Sequence, residues 1–194
     1  MVGFGGEQRM SIGIFEKSYN LLDLSNVQSQ TINGIEFSVN AQKGTVTING
    51  TAILNQDTAF NIPIDSTLIG DFYVSGCPNG GSNQTYDVYV WDETTRARVR
   101  KWDGTTGMVS VYNANESSEI QLIQNHSIVA RIRVRYGIQF ENLIFLPMIR
   151  VPTAPAVFEP YGDIWHNATP KIYTNSTWAD TANNPKKYLN GSWT

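Results

Sequence analysis

The heptapeptide ARIRVRY, residues 130–136, decides the fold. Ile132, Val134 and Tyr136 fall on one side of an extended chain, and Arg131, Arg133 and Arg135 fall on the other. That is a period of two, which a strand keeps and a helix scatters around its axis. The pattern repeats along the chain. Ile35, Phe37 and Val39 alternate with Glu36, Ser38 and Asn40, and Val46 and Ile48 alternate with Thr45, Thr47 and Asn49 before an Asn-Gly turn. Further strands are expected at 59–64, 72–75, 86–91, 108–112, 128–136 and 143–149, and CPNGGSN (77–83) is the most emphatic break between them. No window longer than about 10 residues keeps a helical spacing of apolar positions. The chain reads as all-β.

Half-apolar strands need a second apolar surface, so two antiparallel sheets packed face to face are expected. A closed barrel satisfies the alternation too, but long and unequal turns fit a jelly-roll β-sandwich better. With 194 residues the chain has room for one such domain and appendages. We place the sandwich at 18–162, a glycine-rich N-terminal docking arm at 1–17, and a C-terminal tail at 163–194. The arm carries Ile12, Ile14 and Phe15 as apolar handles and cannot form a core alone, so it reads as a frayed end or as a segment that docks on a partner. The tail repeats itself. KIYTNSTW (171–178) matches KKYLNGSW (186–193) at Lys, Tyr, Asn and Trp. In each copy Tyr and Trp flank an Asn-containing turn, as in a small hairpin that brings Tyr173 towards Trp178 and Tyr188 towards Trp193. Hairpins of that size bury little, so other chains or the main domain must steady them.

Composition narrows the functional classes. Hydrophobic residues make up 41% of the chain and charged residues 16%, which suffices for a core and excludes general disorder. A net charge of -3 gives no broad attraction to phosphate backbones, so nucleic acid is not an expected partner. Cys77 is the only cysteine; an internal disulfide is impossible, and the residue reads as a small packed side chain. The opening MVGFGGEQRMSIGIF lacks a basic start followed by a long apolar run, so neither a signal peptide nor membrane insertion is expected. The triplets at Asn49 and Asn175 then read as turn chemistry rather than glycosylation sites.

Catalytic and metal chemistry find few carriers. His126, in QNHS, reads as a turn residue and His166, in DIWHNA, as a solvated linker residue; neither has metal-ligand spacing. Asp92 with Glu93, and Glu116 with Glu119, are the carboxylates available for glycoside hydrolysis. Adjacent acids on a strand point to opposite faces, and NESSE reads as a polar loop. We expect no enzyme, no cofactor and no metal site. Binding has better candidates, because sugars are held by aromatic rings and polar neighbours. In YDVYVWD (86–92), Tyr86, Val88 and Val90 take the core side, leaving Asp87, Tyr89 and Trp91 outside. Tyr73 has the same parity in DFYVSG, and Trp102 lies in the polar hairpin RKWDGTTG. Tyr73, Tyr89, Trp91 and Trp102 are therefore the candidate glycan-binding residues. The basic run RARVRK (96–101) is diluted by neighbouring acids and reads as a solvated hairpin. Arg131, Arg133 and Arg135 read as a solvated row or, alternatively, as a subunit contact.

Four stretches carry a resemblance: NLLDLS (20–25), TINGIEFSVNAQKGTVTINGTA (31–52), SGCPNGG (75–81) and NLIFLPMIRVPTAPAVFEPYG (142–162). Together they resemble a β-sandwich module of structural proteins of tailed bacteriophages, itself similar to jelly-roll carbohydrate-binding modules. The repeated tail is similar to the ends of phage tail and baseplate proteins. The resemblance implies a non-catalytic virion protein made in the host cytoplasm and displayed on the tail, baseplate or capsid surface. It also implies a homo-oligomer, a trimer by family habit, with other virion proteins as partners. The alternative is an adhesin, a receptor-binding or decoration protein for a host surface glycan. In either case the proline-spaced ending leads the chain stiffly out of the last core strand, with FEPYG pinned back on the domain.

Overall fold

The computed structural model describes residues 13–103, 109–167, 171–174, 177–180, 188–189 and 192–193. In chain order the strands are β1 (Gly13–Lys17), β2 (Gln30–Ile32), β3 (Ile35–Asn40), β4 (Thr45–Thr51), β5 (Thr58–Pro63) and β6 (Gly70–Ser75). There follow β7 (Tyr86–Asp92), β8 (Ala97–Arg98), β9 (Ser117–Leu122), β10 (Ile128–Val134), β11 (Gln139–Phe145) and β12 (Met148–Arg150). The last are β13 (Asp163–Asn167), β14 (Lys171–Thr174), β15 (Thr177–Asp180), β16 (Tyr188–Leu189) and β17 (Ser192–Trp193). The described residues contain no helix, and the fold is all-β and antiparallel throughout. Two compact units emerge, Ser18–Gly162 and a second made from the segments on either side of it.

The first unit is built from three sheets, ordered β5-β10-β7-β8, β11-β4-β3-β2 and β12-β6-β9. Rings join the first two: Phe37 of β3 stacks on Phe60 of β5 at 4.8 Å, and Tyr86 of β7 meets Phe140 and Phe145 of β11 edge-on at 5.9 and 5.7 Å. The third sheet adds Phe72, Val74, Ile120, Leu122 and Ile149 to the same core cluster. The alternation read from sequence is therefore what seals a sandwich core. Each fully buried Phe, Ile or Leu contributes about 1.5–3 kcal/mol of transfer free energy, and in the strands that carry such residues burial sets the register.

Several boundaries differ from the sequence reading, each for a local reason. The stretch 143–149 is two strands in two sheets, because β11 stops at Phe145 and β12 starts after Pro147, which has no N–H to continue a ladder. Gly76 makes the switch possible. Its carbonyl accepts from the Leu146 amide at 2.9 Å, its φ is +103°, and a methyl there would overlap the Leu146 carbonyl oxygen. The strand expected at 108–112 reduces to one bridge, Val111 to Val88; Met108 lies outside the described residues. β10 ends at Val134, so Tyr136 stands exposed rather than beside Ile132. Strands β2 and β9 were not expected. Their sequences QTI and SSEIQL carry one and two apolar residues, too few for a period to show.

The ending is tied back to the start of this unit. Glu159 takes the Tyr19 amide on its carboxylate at 3.0 Å and the Asn20 side-chain amide on its carbonyl at 3.1 Å. The Ser18 amide donates to the Gly162 carbonyl at 2.8 Å, so the chain enters and leaves this unit at adjacent points.

In the second unit β1 pairs with β13, β14 with β15 and β16 with β17. The arm expected to fray or to dock elsewhere pairs over Gly13–Lys17 with its own chain, Ile14 opposite His166 and Phe15 opposite Trp165. His166 is accordingly a strand residue, not a linker residue. Ile12 lies outside the described residues. The repeated tail keeps one register in both copies: Tyr173 is opposite Trp178 and Tyr188 is opposite Trp193.

Candidate functional site

The outward face of the β5-β10-β7-β8 sheet gathers most of the candidate side chains. Antiparallel register sets Arg131 opposite Tyr89 and Arg133 opposite Asp87, with Asn61 of β5 opposite Arg131 and Arg98 of β8 opposite Trp91. Period two thus turns separate sequence motifs into one surface row.

Asp87 organises that row. Fully buried, its carboxylate accepts from Arg133 Nε and Nη2 at 2.8 and 2.7 Å and from Ser110 Oγ at 2.8 Å, with Arg98 Nη2 at 3.5 Å. Arg98 also donates to Ser110 Oγ. Burial alone would lower the Arg133 pKa, but the hydrogen bonds and charge of Asp87 overcome it and hold the guanidinium above its ordinary value. Arg131 donates to Asn61 and Glu93, both at 2.7 Å, and Arg135 reaches Asp57 and the Asn83 carbonyl. Each arginine of the row is therefore paired with an acid of its own chain, and Arg135 keeps a partly exposed side chain. Arg98, read as part of a solvated hairpin, is likewise engaged.

These arginines change the standing of the aromatics. The outward parity of Tyr89 and Trp91 holds, but Tyr89 is only 5% exposed, because the Arg98 guanidinium lies 3.8 Å from its ring centre with Arg133 and Arg131 at 5.7 and 6.0 Å. The expectation of an exposed Tyr89 is corrected on that ground. Trp91 is half-buried, edge-on to Tyr89 at 6.4 Å, with Arg131 at 4.7 Å. Tyr73 of β6 and Trp102, in the turn after β8, form a separate pair, edge to face at 5.0 Å, and Arg150 sits 4.5 Å from the Tyr73 ring. The four aromatics therefore make two clusters rather than one platform.

The carboxylates do not converge. Asp92, buried at the end of β7, accepts the Thr94 and Thr95 amides at 2.8 and 3.2 Å and pairs with His126 Nδ1 at 2.6 Å. Burial would raise its pKa, but His126 and those amides outweigh burial and hold it below the ordinary aspartate value. Its neighbour Glu93 turns to Asn61 and Arg131. Glu116 accepts from the Asn113 side chain and the Tyr112 amide, which in that order hold its pKa below the ordinary value, and Glu119 stands opposite Tyr73. Among the described residues no group of three or more His, Cys, Asp or Glu could hold a metal ion. Cys77 is free and buried; burial first, then the negative field of Asp87, pushes its thiol pKa up to about 12.

Concavities among the described residues lie elsewhere. One of about 570 Å³ runs between Cys77, Pro78, Ile144, Leu146, Val157 and Phe158; one of about 490 Å³ includes His126, Ser66 and Ser127; one of about 300 Å³ includes Asp23, Asp65 and Tyr161. None is lined by Tyr73, Tyr89, Trp91 or Trp102. Sequence reasoning did not single out Asp87, Arg98 or Arg150 as site residues. The first two were legible in principle, as an acid and a base at outward positions of a YDVYVWD–RAR hairpin; the burial of Arg150 leaves no sequence signal. Compared with protein-family models, with curated proteins and with solved structures, the chain finds no match in any of the three.

Proposed function

We propose that the chain is a non-catalytic structural protein of a bacteriophage particle. In this reading it is displayed on the tail, baseplate or capsid surface, forms a homo-oligomer, and joins other virion proteins through its terminal segments. One observation carries the reading: the 18–162 unit closes on itself at the Ser18 to Gly162 hydrogen bond, and what continues beyond are two-stranded ladders of two to five residues per strand. Pieces that small are marginal in water on their own. They persist when another surface covers them, and a neighbouring protein in an assembly supplies one. Repeated copies then turn weak individual contacts into firm attachment through high local concentration.

The test is a deletion of residues 171–194 followed by quantitative mass spectrometry of purified particles. The truncated chain should fold and be lost from particles. Incorporation at the full-length level would end the assembly reading.

A second reading, a host-glycan adhesin, draws on the half-buried Trp91 with Arg131 and Asn61 alongside, and on the Tyr73–Trp102 pair. Tyr89 takes no part, since its ring is covered. Trp91→Ala separates the two readings: lost glycan or cell binding with normal incorporation favours the adhesin, and the reverse favours assembly.

A further inference from the structure

Arg150 is the exception among the arginines that the fold buries. It closes β12, is 6% exposed, and has no carboxylate within 4.0 Å among the described residues, whereas Arg98, Arg131, Arg133 and Arg135 each have one. Nη1 donates to the Ala154 carbonyl at 2.9 Å and so ties down the turn that begins the proline-spaced exit. Nε is sealed from water and has no acceptor among the described residues. The Tyr73 ring at 4.5 Å supplies a cation–π contact, which offsets part of the desolvation of a guanidinium but accepts no hydrogen bond in its plane. An always-charged group buried with its Nε–H unpaired is costly, and a missing anion is one thing that would satisfy such an orphan.

We infer that Arg150 is the anchor of a carboxylate-binding site on the Tyr73–Trp102 side of the β12-β6-β9 sheet. The chemistry selects the ligand. With Nη1 committed to Ala154, the edge of the guanidinium that carries the orphaned Nε–H also carries an Nη2–H, and two such parallel donors match the two oxygens of one carboxylate. A carboxylate on a sugar ring adds an apolar face suited to Trp102, which is itself half-exposed. Nε is closed to water in the free chain, so a ligand reaches it only with local movement of the side chains around it. This inference stands apart from the assembly reading and needs no terminal segment.

The experiment is thermal unfolding of the full chain in sodium acetate, in sodium glucuronate and in sodium chloride at equal ionic strength, for the natural protein and for Arg150→Met and Arg150→Lys. Acetate and glucuronate should raise the midpoint over chloride, by about 5–10 °C at one hundred times the dissociation constant. Arg150→Met should abolish the increment, and Arg150→Lys should keep less than half of it, since a point charge lacks the fork. A larger increment with glucuronate than with acetate assigns the ring a role. Identical midpoints in all three salts for the natural protein overturn the inference, as does an increment that survives in Arg150→Met. A midpoint that rises with protein concentration and ignores added carboxylate would also overturn it, by giving the counter-charge to a second copy of the chain. Should both variants fail to fold, calorimetric titration of glucuronate into the natural protein decides, and the absence of saturable binding overturns the inference.

Discussion

Replacing Asp87 with Ala strands the most heavily engaged cations of the outer face. In the native chain Asp87 is fully buried and accepts two bonds from Arg133 and one from Ser110, with Arg98 at 3.5 Å. Removing one member of a buried pair costs about 3–5 kcal/mol, chiefly because the other charge stays behind without compensation. Here the compensation is not wholly lost: Asp57 remains 3.8 Å from Arg133 Nη1, and the Arg133 side chain keeps 14% exposure. That places the loss at the low end, about 3 kcal/mol, or about 6–12 °C in midpoint for a domain of this size. Urea denaturation followed by tryptophan fluorescence measures it, with the midpoint falling and the slope unchanged. Replacing Arg133 with Met in the Asp87→Ala background removes the stranded charge and should restore part of the loss, a coupling of about 1–3 kcal/mol. A single variant within about 0.5 kcal/mol of the natural protein, the ordinary range of a surface substitution, would refute this account of the face, as would two effects that simply add.

Three other perturbations test separate parts of the structure. Gly76→Ala forces a side chain into φ +103° and against the Leu146 carbonyl, so it should cost about 3 kcal/mol or more and lower the urea midpoint accordingly; an unchanged midpoint means that the β11-to-β12 switch is not as drawn. Asp92 has a folded pKa below its unfolded value near 3.9, so its contribution is fully present above about pH 4 and is lost as pH falls through the lower folded value. Urea midpoints between pH 6 and pH 2.5 should therefore fall less steeply in Asp92→Asn, and parallel profiles would count against the Asp92–His126 pair. Cys77, with its thiol pushed to about 12 and buried, should resist a thiol-reactive disulfide reagent at pH 8 until urea unfolds the chain; stoichiometric reaction in the native state would contradict its burial.

Period two carried most of the sandwich into view because burial enforces it. Ile35, Phe37, Val46, Ile48, Val88, Val90, Ile132 and Val134 all face the core as their spacing requires. What escaped was set by contacts remote in sequence. Tyr89 has the outward parity its neighbours dictate, yet three arginines from two other strands cover it, and parity says nothing about a cover. The break between β11 and β12 depends on Gly76 approaching Leu146 across a gap of many residues, although Pro147 hinted at it. β9 was hidden because its two apolar residues, Ile120 and Leu122, are too few to display a period. The tail went the other way: its repeat was legible, and Tyr–Trp register in both copies follows the repeat, because an identical turn length fixes an identical pairing.

As proposed above, the sandwich is held in a phage particle by the segments flanking residues 18–162. An electron cryomicroscopy reconstruction of the particle at side-chain resolution tests it most directly. The account predicts the sandwich on the particle's surface with both flanking segments covered by neighbouring subunits. Flanking segments that touch no other chain, or a particle lacking the protein altogether, would contradict it.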